Sequence, residues 1–332
     1  MARFDATACD VRGEDIVGDE RRTAGPGAVG VAMPAKGSVE SVRSAVAEIA
    51  EDVREVVLSF EAETATLWST MVPPGRPCFT RRLVSEYIHL FQSLNARFAD
   101  AESLALKYIV YQSGTPSIFS LGGDLDLFSR LIRARDDEGL RDYAHACAKM
   151  TYLNSVSADL PIVTIALVQG QALGGGLESA LSCNLIIAEK SATFGLPEVL
   201  FNLFPGMGAY SYLSRKVSSR VAEKLMLSGR TYSADEMLEA GVIDEVVEDG
   251  TGEQAVRDLI ERSQRRHNAQ VGVYRTRRRV MPLSYEELRD VTDIWVECAL
   301  GITDLDLRKM EKLVKAQDRL KGAVAMPAAA HS

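Results

Sequence analysis

Apolar residues along this chain fall into patterns with different periods, and the periods predict the elements. Arg54 to Val72 alternates apolar and polar positions on both sides of a short polar break, which predicts a hairpin or a pair of sheet strands. The PPGRP stretch ends it, and Thr80 is placed to cap a helix running to about Leu94, with Leu83, Tyr87, Leu90 and Phe91 on one face. Lys107 to Gln112 and Pro161 to Val168 are short apolar runs. The second is almost continuously apolar and β-branched, as expected of a strand buried on both faces in a sheet covered by helices. Cys183 to Ala188 reads as a further buried strand and Thr193 to Gly195 as one more. Helical spacing covers Leu125 to Arg135, Asp136 to Asn154, and three short segments from Ala209 to Ala240. From Tyr285 to about Leu320 a long amphipathic helix or helix pair is predicted, with Leu288, Val291, Trp295, Cys298, Ala299 and Ile302 on its apolar face.

The first 50 or so residues are Ala, Gly, Ser and charge, too poor in apolar residues to build a core, although Val39 to Val53 fits a helix. The expected organisation is therefore a largely flexible segment 1–53, a core 54–230 that holds the site, a helical region 231–322 and a loose tail 323–332. Strand-turn-helix spacing by itself permits a doubly wound sheet.

A chain of 332 residues with 46% hydrophobic content supports a sizeable core, and its net charge of -8 argues against nucleic acid as a partner. No apolar run approaches the length of a membrane span, and the acidic start lacks the apolar region of a secretion signal, so a cytoplasmic location is expected. Five scattered cysteines without CxxC spacing disfavour a disulfide framework or a zinc cluster. Neither a metal nor a cofactor is called for. His145, without a Cys, His or acidic partner at ligand spacing, reads as a structural or surface residue and not as a catalyst.

The chemistry is expected where a strand runs into Gly174-Gly175-Gly176 and a short helix carrying Glu178. Consecutive glycines suit a turn of unusual dihedrals, or one where a ligand approaches the main chain; close packing of strand on helix would ask for the same residues. A second junction separates the readings. Lys107 to Gln112 leads through a loop to Gly122-Gly123 and another helix, and two such turns can supply two converging main-chain N–H donors. Such a pair is what an oxyanion hole for an acyl carbonyl requires.

FSLGGDL, QALGGGLE and GLPEVLFNLFPGMGAYSYLSR together resemble the crotonase (enoyl-CoA hydratase/isomerase) superfamily, and within it most resemble the diffusible signal factor synthases of quorum sensing. The resemblance runs from about Glu55 to the helix near Lys315. It implies an α/β crotonase-like spiral of strand-strand-helix units with a C-terminal helical trimerisation region, hence a homotrimer or hexamer. It also implies oxyanion-hole amides at Gly123 and Gly175 and a catalytic carboxylate pair, Glu178 and Glu198. The superfamily often has alanine where this chain has Gly123, a mild departure for a main-chain donor. The synthase group dehydrates a 3-hydroxyacyl-acyl carrier protein and hydrolyses the 2-enoyl thioester to a cis-2-unsaturated medium-chain acid, and the same is implied here. The alternatives are a CoA-dependent enoyl-CoA hydratase/isomerase and a binding protein for a sensor histidine kinase.

Two carboxylates in a dry site repel, which raises at least one pKa and leaves an acid beside a base. Leu127, Phe128 and Leu131, on the helix that leaves the first glycine turn, are candidates to line an acyl pocket with Gly174 and Met207, although such a stripe also serves a core. The arginines at 262, 265, 266, 275, 277, 278 and 279 form a solvated face or a docking surface for a phosphopantetheine phosphate or an acidic carrier protein.

Overall fold

The structure, a computed structural model, describes residues 35–324, with side chains through residue 315. Helix α1 (Val39–Asp52) is capped by Ser38, whose side chain accepts from Ser41 N, and is followed by the hairpin β1 (Val56–Glu61) and β2 (Thr66–Met71). Helix α2 (Arg81–Phe98) starts at the predicted cap: Thr80 Oγ1 accepts from Leu83 N at 2.9 Å.

Strand-strand-helix units then succeed one another. Strands β3 (Tyr108–Ser113) and β4 (Ile118–Ser120) lead to α3 (Leu125–Ala134) and α4 (Asp137–Ser155). Strands β5 (Val163–Val168) and β6 (Gln171–Leu173) lead to α5 (Gly175–Leu181). Strands β7 (Leu185–Glu189) and β8 (Thr193–Gly195) lead to a turn of 3-10 helix, Pro197–Phe201. Helices α6 (Ala209–Leu213), α7 (Ser219–Ser228), α8 (Ala234–Glu239), α9 (Gly252–Ser263), α10 (His267–Val280), α11 (Tyr285–Leu300) and α12 (Asp304–Val324) follow, with β9 (Thr231–Ser233) and β10 (Glu245–Val247) among them.

In these three units the first strand joins a sheet that also takes the hairpin and β10, ordered β1-β2-β3-β5-β7-β10, and the second joins another that also takes β9, ordered β4-β6-β8-β9. All six residues of β5 are buried, as its unbroken apolar run requires. In the small sheet β4, β6 and β8 run parallel, so their C-terminal ends lie side by side. The crotonase-like spiral implied by the resemblance is the fold observed.

Three boundaries differ from expectation. Helix α1 buries Val42, Ala45, Val46 and Ile49, so the core begins before residue 54; residues 1–34 of the segment expected to be flexible lie outside the described residues. The loop predicted from Ser113 to Asp124 contains β4. Residue 230 is no domain boundary, because β9 pairs with β8 and β10 with β7. These strands are three residues long, too short for alternation to show. Helix α12 runs to Val324, and the rest of the expected tail lies outside the described residues. Among the described residues no helix is long and apolar enough to cross a membrane.

Candidate active site

The small sheet explains why distant motifs meet. Gly122-Gly123 follow β4, Gly174-Gly175 follow β6, and Pro197-Glu198 follow β8, each just beyond the C-terminal end of a parallel strand, where ligands sit in open α/β sheets. The second and third junctions are tied together, Gly174 N donating to Gly195 O at 2.8 Å, and the first is held to the segment before α2, Phe79 N donating to Gly122 O at 2.8 Å.

The glycine turns touch. A Cβ on Gly122, at φ +91°, would lie 2.9 Å from Gly175 N, and one on Gly175 would lie 3.3 Å from Gly123 N and run into Met207 Sδ. Side chains in both turns would force them apart. Among the described residues neither Gly123 N nor Gly175 N donates a hydrogen bond to the protein, so both are available to one acceptor.

Glu178, in the first turn of α5, is 1% exposed. Its Oε1 accepts from Met207 N at 2.7 Å and Ala209 N at 2.9 Å, which fixes the carboxylate in place. Burial pushes its pKa up to about 7, against the opposing pull of the Ala209, Met207 and Gly208 amides. Glu198 is partly exposed as a residue, yet its Oε2 is buried without a partner among the described residues. Burial first, and repulsion from Glu178 second, push its pKa up to about 8. Its Oε1 lies against Gly174, whose φ of +51° and ψ of -125° suit glycine alone.

Gly123, Gly174, Gly175, Glu178, Glu198, Phe128 and Met207 all line one cavity. Leu127 and Leu131 do not: they pack against the core from the other positions of α3, as a stripe wide enough for both roles allows. Sequence reasoning also missed the cavity's far wall, Trp295 of α11 with Met310 and Leu313 of α12, which reach it because α11 packs along α4 and α12 against α3. Trp295 and Phe128 pack against each other in its wall, 4.8 Å between ring centroids. Spacing showed Trp295 on an apolar face but held no signal of what that face meets.

Tyr143 of α4 went unnoticed too. Its hydroxyl donates to Phe79 O and accepts from Asp124 N at 3.1 Å, bracing the turn that carries Gly123. His145 is an ion-pair residue, 2.7 Å from Asp293 Oδ1 between α4 and α11, and lies outside the cavity wall. None of the seven arginines of the basic segment lines the cavity.

The arrangement offers two main-chain donors without a protein acceptor among the described residues, two neighbouring carboxylates whose proton affinities are both raised, and an apolar wall. Such a site can hold a developing oxyanion while protons move to and from neighbouring atoms.

The family model for enoyl-CoA hydratase/isomerase matches residues 79–291. The probable enoyl-CoA hydratase 2, mitochondrial, of Arabidopsis thaliana is 28% identical over 255 residues, 76% of this chain and 75% of that one. Alignments with several other curated relatives cover less of those proteins, from 19% to 49% of their length. Among solved structures, an enoyl-CoA hydratase from Bacillus halodurans superposes with a TM-score of 0.66 at 21% identity, covering 78% of this chain and 100% of that one. DspI of Pseudomonas aeruginosa superposes with a TM-score of 0.55 at 24% identity, covering 80% and 97%. At these identities the superpositions show a shared fold.

Proposed function

We propose, from the premise that this chain belongs to the enoyl-CoA hydratase/isomerase family, that it dehydrates a 3-hydroxyacyl-acyl carrier protein and hydrolyses the product to a free cis-2-unsaturated medium-chain acid. The observation that carries the thioester chemistry is the convergence of two amides that are unpaired among the described residues, Gly123 N and Gly175 N, with Glu178 and Glu198 on one apolar cavity. The finer choice of substrate rests on the resemblance of the two glycine motifs and the segment from Gly195 to Arg215 to diffusible signal factor synthases.

In this reading the thioester oxygen accepts from Gly123 N and Gly175 N. The carboxylate of the pair removes a C2 proton, and the charge that forms on the oxygen is held by the two amides. The carboxylic acid of the pair gives its proton to the 3-hydroxyl, which leaves as water, and the C2–C3 double bond forms. The pair ends with its proton on the other member. A water then gives a proton to the carboxylate and attacks the carbonyl carbon, the same amides hold the tetrahedral oxyanion, and collapse breaks the C–S bond as the carrier thiol takes a proton from the pair. The free acid and the thiol are the products, with no net change at the enzyme.

A second reading, reversible hydration of an enoyl-CoA with the thioester retained, is favoured by the curated Arabidopsis relative, whose name is that of a hydratase. Incubating the purified chain with 3-hydroxydodecanoyl-acyl carrier protein and analysing products by mass spectrometry distinguishes the two. Free 2-dodecenoic acid with a cis double bond supports the proposal; turnover of trans-2-enoyl-CoA to 3-hydroxyacyl-CoA, with carrier-bound substrate left intact, supports the hydratase. A regulatory partner such as a sensor histidine kinase is compatible with either, and a pull-down with the kinase's sensor domain tests it.

A further inference from the structure

A second cavity opens where α4, α5, α6 and α10 end. It shares no lining residue with the catalytic one. Four cations border it, Arg215 and Lys216 just after α6 and Arg277 and Arg278 in the last turn of α10. Beside them lie the apolar side chains of Val156, Leu181, Met281 and Leu283.

Helix C-termini draw cations by themselves, and part of this cluster is accounted for in that way. Arg278 Nη1 donates to Val156 O, and Arg215 donates to Ser211 O and pairs with Glu287 at 2.8 Å. The rest is not. Arg277, whose guanidinium lies 5.0 Å from the Tyr274 ring centroid, has no carboxylate partner among the described residues, and neither does Arg278 at ion-pair distance. The carboxylate near Lys216 is that of Asp244 at 3.8 Å, a loose contact for an ammonium that is only 13% exposed. Arg215 Nε is buried without an acceptor among the described residues. Burial lowers the pKa of Lys216, as expected of a charge that lacks a close counter-ion. Asp244 and Glu287, with Asp159 farther out, leave the four cations under-neutralised.

We propose that this cavity binds a small amphipathic anion, its carboxylate or phosphate head between Lys216, Arg277 and Arg278 and its apolar body against Leu181, Met281 and Leu283. Arginine forks suit either head, and a buried ammonium gains most from an ion that brings its own charge. The site is one short helix from the chemistry: Ala209, the first residue of α6, donates to Glu178, and Lys216 lies three residues beyond the last residue of that helix.

Titration calorimetry of the full chain with decanoate, below its micellar concentration, and with octyl phosphate tests the proposal against Arg277→Gln and Arg277→Gln/Lys216→Met variants. Arg277→Gln removes a side chain without an ion pair and keeps the fold testable if the double variant is unstable. One or both amphiphiles should bind the parent at a site whose affinity drops at least tenfold in the variants, while turnover without added ligand is unchanged; the head that binds identifies the ligand class. Equal affinity in parent and Arg277→Gln overturns the proposal. So does failure of both amphiphiles to bind, or binding of decanol or inorganic phosphate as tightly as the amphiphile.

Discussion

Glu198 Oε1 occupies the space that a side chain on Gly174 would need. The carboxylate that sequence comparison alone places beside the glycines is thus packed on one of them, and the glycine is required twice, for its dihedrals and for its missing Cβ.

Replacing Gly174 with Ala should therefore do more to turnover than to stability. An alanine at φ +51° and ψ -125° costs about 1–3 kcal/mol in backbone strain. Its methyl also displaces Glu198, and misplacing a catalytic group by about an ångström can cost on the order of a hundredfold in rate. Measured kcat on the proposed carrier-bound substrate should fall by about that factor in a variant that still melts cooperatively. A folded Gly174→Ala protein with parental kcat would remove Glu198 from the mechanism.

The carboxylate pair sets two pH responses. With Glu178 raised to about 7 and Glu198 to about 8, the two share a single proton between those values, and titrate as a unit. Below this window no base remains and above it no acid, so kcat/KM should be bell-shaped with its maximum inside it. For stability the sign is opposite to that of a salt-bridged carboxylate. Both folded-state values lie above the ordinary carboxylate range, so the contribution to stability is complete below the unfolded pKa and is lost as pH rises through about 7 to 8. Glu198→Gln should accordingly melt higher than the parent at about pH 9 and no differently at about pH 4, while losing roughly a hundredfold or more in kcat. A flat pH profile, or a variant less stable at the alkaline end, would contradict the shared-proton picture.

The parts of this fold that the sequence made legible are those with long periods. β5 declared itself through six buried residues in a row, and α2 through its cap and its stripe. The small sheet was legible only in part: β8 is the strand expected at Thr193–Gly195 and β6 the one expected to run into the glycines, whereas β4 and β9, three residues each, are too short for alternation to be visible. Yet this sheet is what brings Gly123, Gly175 and Glu198 together. The motifs named residues that the structure brings onto one cavity, while part of the reason for their meeting lies in β4, a strand within an apparent loop. Leu127 and Leu131 show the converse limit: position on a helix next to a catalytic turn does not say which side of the helix faces the ligand.

Tyr143 should act through the first glycine turn. Its hydroxyl bridges Phe79 O and Asp124 N, and deletion in Tyr143→Phe leaves both of these main-chain groups short of a partner, at about 1–3 kcal/mol for a buried unsatisfied group. Because the turn positions Gly123 N, the loss is expected in kcat, by about tenfold, with KM near the parental value and the pH profile unmoved, since no titrating group is touched. A shifted profile would mean that Tyr143 influences the carboxylates directly.

Trp295 closes the cavity from the C-terminal helices and carries the packing of α11 onto the core. Its ring faces Phe128 at 4.8 Å and leaves no room for a Cβ on Gly206, which would lie 2.5 Å from Trp295 Cγ. Truncation to Ala removes one of the largest buried side chains in the protein and should cost about 3–5 kcal/mol, read as a lower denaturation midpoint at an unchanged denaturant slope. The kinetic effect separates wall from machinery. Trp295 supplies neither the amides nor the carboxylates, so for a medium-chain substrate KM should rise while kcat stays within about tenfold of the parent. The opposite split, kcat lost at constant KM, would mean that α11 holds the carboxylates in register rather than bounding the space for the acyl chain.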